Sequence, residues 1–332
     1  MPRARAPAFW YGRARIPLWA RTLEPVYRLL RALRRAPYAL RVRHPWRAPV
    51  PVIVVGNVTA GGSGKTPLVL ALVEALRAGG WRPGVVSRGY GRTDRTAQRV
   101  VAGSRVDKVG DEPLLIQRAS GAPVAVAVRR ADAARLLLVQ GVDVIVADDG
   151  LQHLALARDI EIVVVDGMHR FGNGHLLPAG PLRDPPARLR GVDFVVCNGG
   201  VPQPGEWSMH LRSGSPRALL RTDTPAPQPG AEVHGVAGIG DPARFFAALR
   251  ALGYRVREHA FADHHAYVQT DFGFDEGTLP IVMTEKDAVK CAAFAQPHWW
   301  ALPACAELPA DFFSAVLARL PAARRASRGH AG

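Results

Sequence analysis

"GNVTAGGSGKTPL", residues 56–68, decides how the rest of the chain is read. Before it stands "PVIVV" (Pro51–Val55), a short β-branched run of the kind found in buried parallel strands. After it comes "TPLVLALVEALRAGG", an apolar helix predicted from Thr66, with Pro67 near its first turn and Gly79-Gly80 as its stop. Strand, glycine loop and helix in that order make a phosphate cradle, because backbone N–H groups and a helix N-terminus converge on phosphate oxygens. Glycines let the backbone curl closely around them. Thr59, Ala60, Gly61, Gly62, Ser63, Gly64, Lys65 and Thr66 would line the cradle. Lys65 would reach the β- and γ-phosphates of ATP, and the Thr66 hydroxyl would bind Mg²⁺. The general spacing asks for glycine where Thr59 stands.

Such a loop needs an acid at the end of a neighbouring buried strand to hold the metal. "VDVIVADDGLQH" (142–153) supplies Asp148 and Asp149 after an apolar run. Adjacent side chains on a strand point to opposite faces, so one carboxylate can face the metal while the other turns elsewhere. "RPGVVSRGYG" (82–91), "APVAVAV" (122–128), "DIEIVVVDG" (159–167) and "VDFVVCNGG" (192–200) read as further strands. Strands alternating with helices imply an α/β fold: a P-loop NTPase-type, doubly wound, mostly parallel sheet with its site at the strand C-termini.

Composition bounds the remainder. Apolar residues make up 48% of the 332, enough for a packed core. Cys197, Cys291 and Cys305 show no metal or CxxC spacing, which fits a reducing compartment. No stretch approaches the roughly 20 apolar residues that cross a bilayer. The net charge of +15 is concentrated: residues 1–47 hold twelve arginines against one acid, Glu24. That block calls for an anionic partner. No nucleic-acid motif appears, so nucleic acid is not expected.

Within the block, Leu23, Val26, Tyr27, Leu30 and Leu33 make an apolar stripe at helical spacing. Arg21, Arg28, Arg31 and Arg35 fall on the other side, Thr22 can cap, and Pro25 then sits in the first turn. Trp10, Tyr11, Trp19 and Trp46 flank the stripe. Two readings stay open: a helix lying in an anionic membrane surface, or a helix packed on its own domain with a solvated basic face.

The expected organisation is a basic helical segment (1–45), a kinase core (46–211), a turn-rich linker (212–232), a smaller C-terminal α/β unit (233–320) and a frayed tail (321–332). The smaller unit would carry "FADHHAY" (261–267), so the site would lie in the cleft between units, completed by closure.

Two classes of P-loop protein compete. Partitioning-type ATPases also join this loop to an amphipathic helix, but carry an extra lysine where this chain has Ala60. The ordered set "GNVTAGGSGKTP", "SRGYG", "GDEP" (110–113), "DDGLQH" (148–153), "LLPAGPLRD" (176–184), "GIGDPARFF" (238–246), "FADHHAY" and "TEKDAVK" (284–290) resembles the tetraacyldisaccharide 4′-kinases, the lipid A kinases of Gram-negative bacteria. The resemblance spans roughly residues 15–315. It implies transfer of the ATP γ-phosphate to the 4′-hydroxyl of a lipid substrate, tetraacyldisaccharide 1-phosphate, and a monotopic protein on the cytoplasmic face of the inner membrane.

The resemblance also implies roles. Asp111 of "GDEP" matches the catalytic aspartate, although an acid pair at a helix start would also suit the helix dipole. Asp263 and His264 match an assisting dyad, and a histidine can hold or relay a proton near neutral pH. Thr66, Asp149 and Asp184 match the metal set, with Asp148 as the alternative acid. Many members of the family carry glutamate where Asp184 stands, one methylene longer. Arg88, Tyr90 and Arg130 are candidates for substrate or phosphate contacts. Arg183, Glu112, Gln152 and His153 are candidates for supporting positions.

Overall fold

The computed structural model describes residues 7–12, 14–221 and 223–321; the tail expected beyond residue 321 lies outside them. The chain builds two sheets. The larger has nine strands, in the order Ala304–Glu307, Glu206–Ser213, Phe194–Asn198, Ile160–Asp166, Val52–Gly56, Val144–Ala147, Pro83–Ser87, Val124–Val126 and Gln98–Val100. The two outermost strands pair antiparallel and all other neighbours are parallel. The β-branched runs make this possible, because both faces are covered. Ile53, Val55, Val144 and Val146 pack under the helices Lys65–Ala78, Asp111–Ser120 and Ala310–Arg319 on one face. Val52, Val54, Ile145 and Ala147 point the other way, toward Leu137 and Ala134 of the helix Arg130–Leu138.

The smaller sheet runs Arg255–Ala260, Glu232–Ala237, Ile281–Thr284, Trp299–Leu302 and Arg217–Ala218. Its boundaries correct the expected ones. Residues 304–319 return to the larger lobe: Ala304–Glu307 pairs with Glu206–Ser213, and Phe312 and Val316 bury in the larger core. The chain therefore passes between lobes twice, side by side, with the Gly214 N–H donating to the Pro303 carbonyl at 3.0 Å.

The amino-terminal helix spans Leu18–Ala39, with Pro25 and Pro37 inside it. It begins before Thr22, whose hydroxyl donates to the Trp19 carbonyl rather than capping. The expected stripe faces outward: Leu23, Val26, Leu30 and Leu33 are 47–60% exposed, joined by Leu29 and Trp19. The face turned to the protein is polar. Buried Glu24 accepts from the Leu176 N–H and pairs with His175, and the Tyr27 hydroxyl donates to the Arg183 carbonyl. Arg31 and Arg35, expected only on the side away from the stripe, turn inward to a buried carboxylate, Asp184. Trp10 and Trp46 are held by the protein instead of flanking the stripe: the Trp10 indole donates to the Pro178 carbonyl, and Trp46 lies under Arg135. Among the described residues no helix is long and apolar enough to cross a membrane.

Candidate active site

The phosphate loop leaves the central strand Val52–Gly56, beside the strand that ends in Asp148 and Asp149. This is the topological switch point of the larger sheet, where open α/β folds take ligands. Thr59 is buried and bridges to Leu182, and the Ala60 N–H donates to the Pro181 carbonyl at 2.7 Å. Side chains added at Gly61 or Gly62 would meet only open space, so the loop presents bare backbone there. Gly64 has φ +88°, and a Cβ at that position would collide with the Asn198 amide. Asn198 ends its strand and donates from Nδ2 to the Ser63 carbonyl at 3.1 Å, bracing the loop from below. Lys65 and Thr66 begin the helix that follows.

The two acids have opposite environments. Asp148 is buried and accepts from the Ser87 hydroxyl at 3.3 Å through Oδ2, while its Oδ1 has no hydrogen-bond partner among the described residues. Burial, with Glu112 and Asp149 adding to it, pushes its carboxyl up to about 7. Burial would raise Asp149 too, but Lys65 and Arg183 hold it down to about 2. Arg183 Nη1 contacts both Asp149 oxygens, at 3.1 and 3.0 Å, and Lys65 Nζ lies 3.6 Å away. An orphaned buried carboxylate oxygen beside a helix N-terminus is costly on its own, and a divalent cation would relieve it. The donor set therefore fits Mg²⁺.

Asp184 is engaged elsewhere. Arg31 Nε lies 2.6 Å and Arg35 Nη1 3.4 Å from its Oδ1, and Gln152 Nε2 donates to its Oδ2 at 3.0 Å. The same Gln152 amide reaches the Asn57 carbonyl at the root of the loop. Arg130 is buried, donates from Nη2 to the Asp149 carbonyl, and is lowered to about 10 by burial. His153 Nε2 accepts from the Arg130 N–H, and burial together with the Arg130 charge keeps the ring down to about 4. Arg88 and Tyr90 are exposed at the rim, with the Tyr90 ring 5.7 Å from that of His264.

The smaller lobe supplies the other half. His264 Nδ1 lies 2.8 Å from Asp111 Oδ2, joining residues 153 positions apart. Asp111 opens the helix Asp111–Ser120 and is buried; burial would raise it, but the His264 hydrogen bond and the charge of Lys286 hold it down to about 2. Asp263 Oδ1 stands 3.9 Å from His264 Nε2, and Glu112 pairs with Lys286 at 3.1 Å. "TEKDAVK" explains the mounting. Thr284 caps its helix and donates to Asp287, which accepts the Gly238 N–H; the Gly238 carbonyl then accepts from the His264 N–H. Gly240, in the same "GIGD" turn, approaches the Gly62 backbone of the phosphate loop.

A phosphate loop, a strand-end acid pair and a cross-lobe Asp–His contact are therefore one assembly. The family model described as Tetraacyldisaccharide-1-P 4′-kinase matches residues 16–321. The chain belongs to the tetraacyldisaccharide-1-P 4′-kinase family. It is a kinase, and the ATPase alternative falls with that. Tetraacyldisaccharide 4′-kinase of Xanthomonas euvesicatoria is 53% identical over 334 residues, covering 95% of this chain and 96% of that protein. The enzyme of the same name from Aeromonas salmonicida is 50% identical over 319 residues, covering 94% and 95%. The crystal structure of the "apo" form of LpxK from Aquifex aeolicus in complex with ATP is similar at a TM-score of 0.75 and 26% identity, covering 90% of this chain and 98% of that one.

Asn198 and Lys286 escaped the sequence reading of this kinase. Asn198 was findable as a polar residue at the C-terminal end of a buried strand, "FVVCN", where such sheets place their sites; Lys286, in the helix that follows the strand Ile281–Thr284, carried no such signal.

Proposed function

We propose that this kinase passes the γ-phosphoryl group of ATP, carried as its Mg²⁺ complex, to the 4′-hydroxyl of tetraacyldisaccharide 1-phosphate, as a peripheral protein on the cytoplasmic face of the bacterial inner membrane. The Asp111–His264 contact carries the reading, because it brings an ionised carboxylate from one lobe and an imidazole from the other next to the phosphate loop.

Phosphoryl transfer asks for positioning, charge neutralisation and an acceptor for the hydroxyl proton. The backbone amides of residues 61–64 and the Lys65 ammonium would meet the phosphate oxygens, the Ala60 N–H being held by the Pro181 carbonyl. Bound Mg²⁺ would offset phosphate charge, and Thr66 with Asp148 are the residues suited to hold it, Asp149 being gripped by Arg183. As the 4′-oxygen bonds to the γ-phosphorus, its proton passes to the Asp111 carboxylate and the bond to the bridging β,γ-oxygen breaks, releasing ADP. Asp184 is left out of the metal set; its part is to tie the amino-terminal helix to the site. That helix, apolar outward and basic around its flanks, suits an anionic membrane surface, where a tetraacylated substrate would reside. Arg88 and Tyr90 at the rim, with buried Arg130 behind Asp149, would contact the acceptor sugar or its phosphate.

The experiment is direct. Tetraacyldisaccharide 1-phosphate with γ-labelled Mg-ATP should yield label on the lipid; label released solely as free phosphate would defeat the assignment.

A further inference from the structure

Where the lobes meet, one charged group has no part in the scheme above. Lys286 leaves the first turn of the helix Glu285–Cys291 and enters the Asp111 cluster from the smaller lobe. Its Nζ lies 3.1 Å from Glu112 Oε1, 3.2 Å from His264 Nε2, 3.8 Å from Asp263 Oδ1 and 3.9 Å from Asp111 Oδ2. Burial alone would lower its pKa, yet Glu112, Asp111 and Asp263 hold it raised, so the group is an ammonium. An ammonium has three N–H donors and no lone pair. At His264 Nε2 it can only donate, and that nitrogen must accept. The ring proton is then on Nδ1, where it is given to Asp111 Oδ2 at 2.8 Å. The backbone supports this pose: His264 has φ +60°, uncommon outside glycine, and is pinned by its N–H bond to Gly238.

We propose that Lys286 is the positioning residue that fixes His264 in its Nδ1-protonated tautomer, so that Asp111, and not the imidazole, is left to accept the substrate proton. This rests on the reading of Asp111 as the base. A proton on His264 Nε2 would set an N–H against the Lys286 ammonium at 3.2 Å. With both ring nitrogens engaged, His264 orients and polarises the carboxylate, and Lys286 offsets part of the charge of three neighbouring acids.

The test uses full-length protein labelled with ¹⁵N-histidine, without substrate, with the His264 ring signals assigned by their loss in His264→Asn. Wild type should show Nε2 unprotonated and Nδ1 protonated at neutral pH. Lys286→Met should lose that pattern and reduce kcat on the order of 100-fold, while the KM for ATP stays within about threefold. Lys286→Arg, which keeps charge and donors, should recover part of kcat. A wild-type proton on Nε2 overturns the proposal even if Lys286→Met fails to fold, and so does an unchanged ring pattern in Lys286→Met. Asp111→Asn with full kcat would instead remove the base assignment while leaving the tautomer result standing.

Discussion

Arg31 meets Asp184 at 2.6 Å, tying the outward-facing helix to the strand-side segment whose preceding residue, Arg183, grips Asp149. Two consecutive residues thus connect the exposed leucine stripe to the acid beside the phosphate loop. Arg31→Ala should cost about 2 kcal/mol, below the 3–5 kcal/mol of a fully abandoned buried charge, because Arg35 and Gln152 remain on Asp184. Urea unfolding measures it. Equal stability would mean that the contact contributes nothing.

The stripe itself should be dispensable to the fold. Replacing Leu23, Leu30 and Leu33 with serine touches exposed positions and should change stability by about 0.5 kcal/mol or less apiece. Binding to anionic vesicles should weaken at least about tenfold, since each buried leucine contributes roughly 1.5–3 kcal/mol. Unaltered sedimentation with vesicles would move the membrane contact elsewhere.

Gly64→Ala should raise the dissociation constant of ATP by more than about tenfold. Its φ of +88° and the Asn198 amide leave no room for a Cβ. Asn198→Ala relieves the collision but frees the Ser63 carbonyl, so the pair of substitutions should not restore binding fully. Calorimetric titration distinguishes these outcomes, and wild-type affinity in Gly64→Ala would contradict the loop geometry.

Two half-buried histidines should weaken the fold as pH falls, and Asp148, whose carboxyl is pushed up to about 7, opposes them by taking up its proton first in the folded state. Burial, joined by nearby positive charge, holds His153 and His259 down to about 4, below the ordinary histidine value. At these two rings the unfolded chain therefore takes up protons first as pH falls. The contribution is fully present above about 6.5, declines through the interval down to about 4, and levels off below it. The His234–His259 hydrogen bond of 2.8 Å needs one unprotonated nitrogen, which reinforces the direction. Denaturation midpoints at pH 7 and pH 5, compared between wild type and His259→Gln, isolate the histidine contribution: the loss of stability on acidification should be smaller in His259→Gln, and an equal loss would contradict it.

Much of this was legible from residues alone. The runs before Gly56 and Asp148 became strands within two residues of their expected ends, because continuous β-branched runs bounded by turn residues have few alternatives. The return of residues 304–319 to the larger sheet was not legible, since pairing partners a hundred residues away leave no local period. The amino-terminal helix was legible as amphipathic but not in orientation. Arg31 and Arg35 face inward because of Asp184, a partner some 150 positions distant. Lys286 was hidden for the same reason: its meaning comes from Glu112 and His264, which only the fold brings to it.

The central claim is that Asp111, held by His264, accepts the proton during phosphoryl transfer at the neighbouring loop. Rapid-quench transfer of label from γ-labelled Mg-ATP to tetraacyldisaccharide 1-phosphate, in Asp111→Asn beside wild type, tests it most directly. The account predicts a transfer rate lower by about 10²–10⁴-fold with ATP affinity retained. Transfer at the wild-type rate would contradict it.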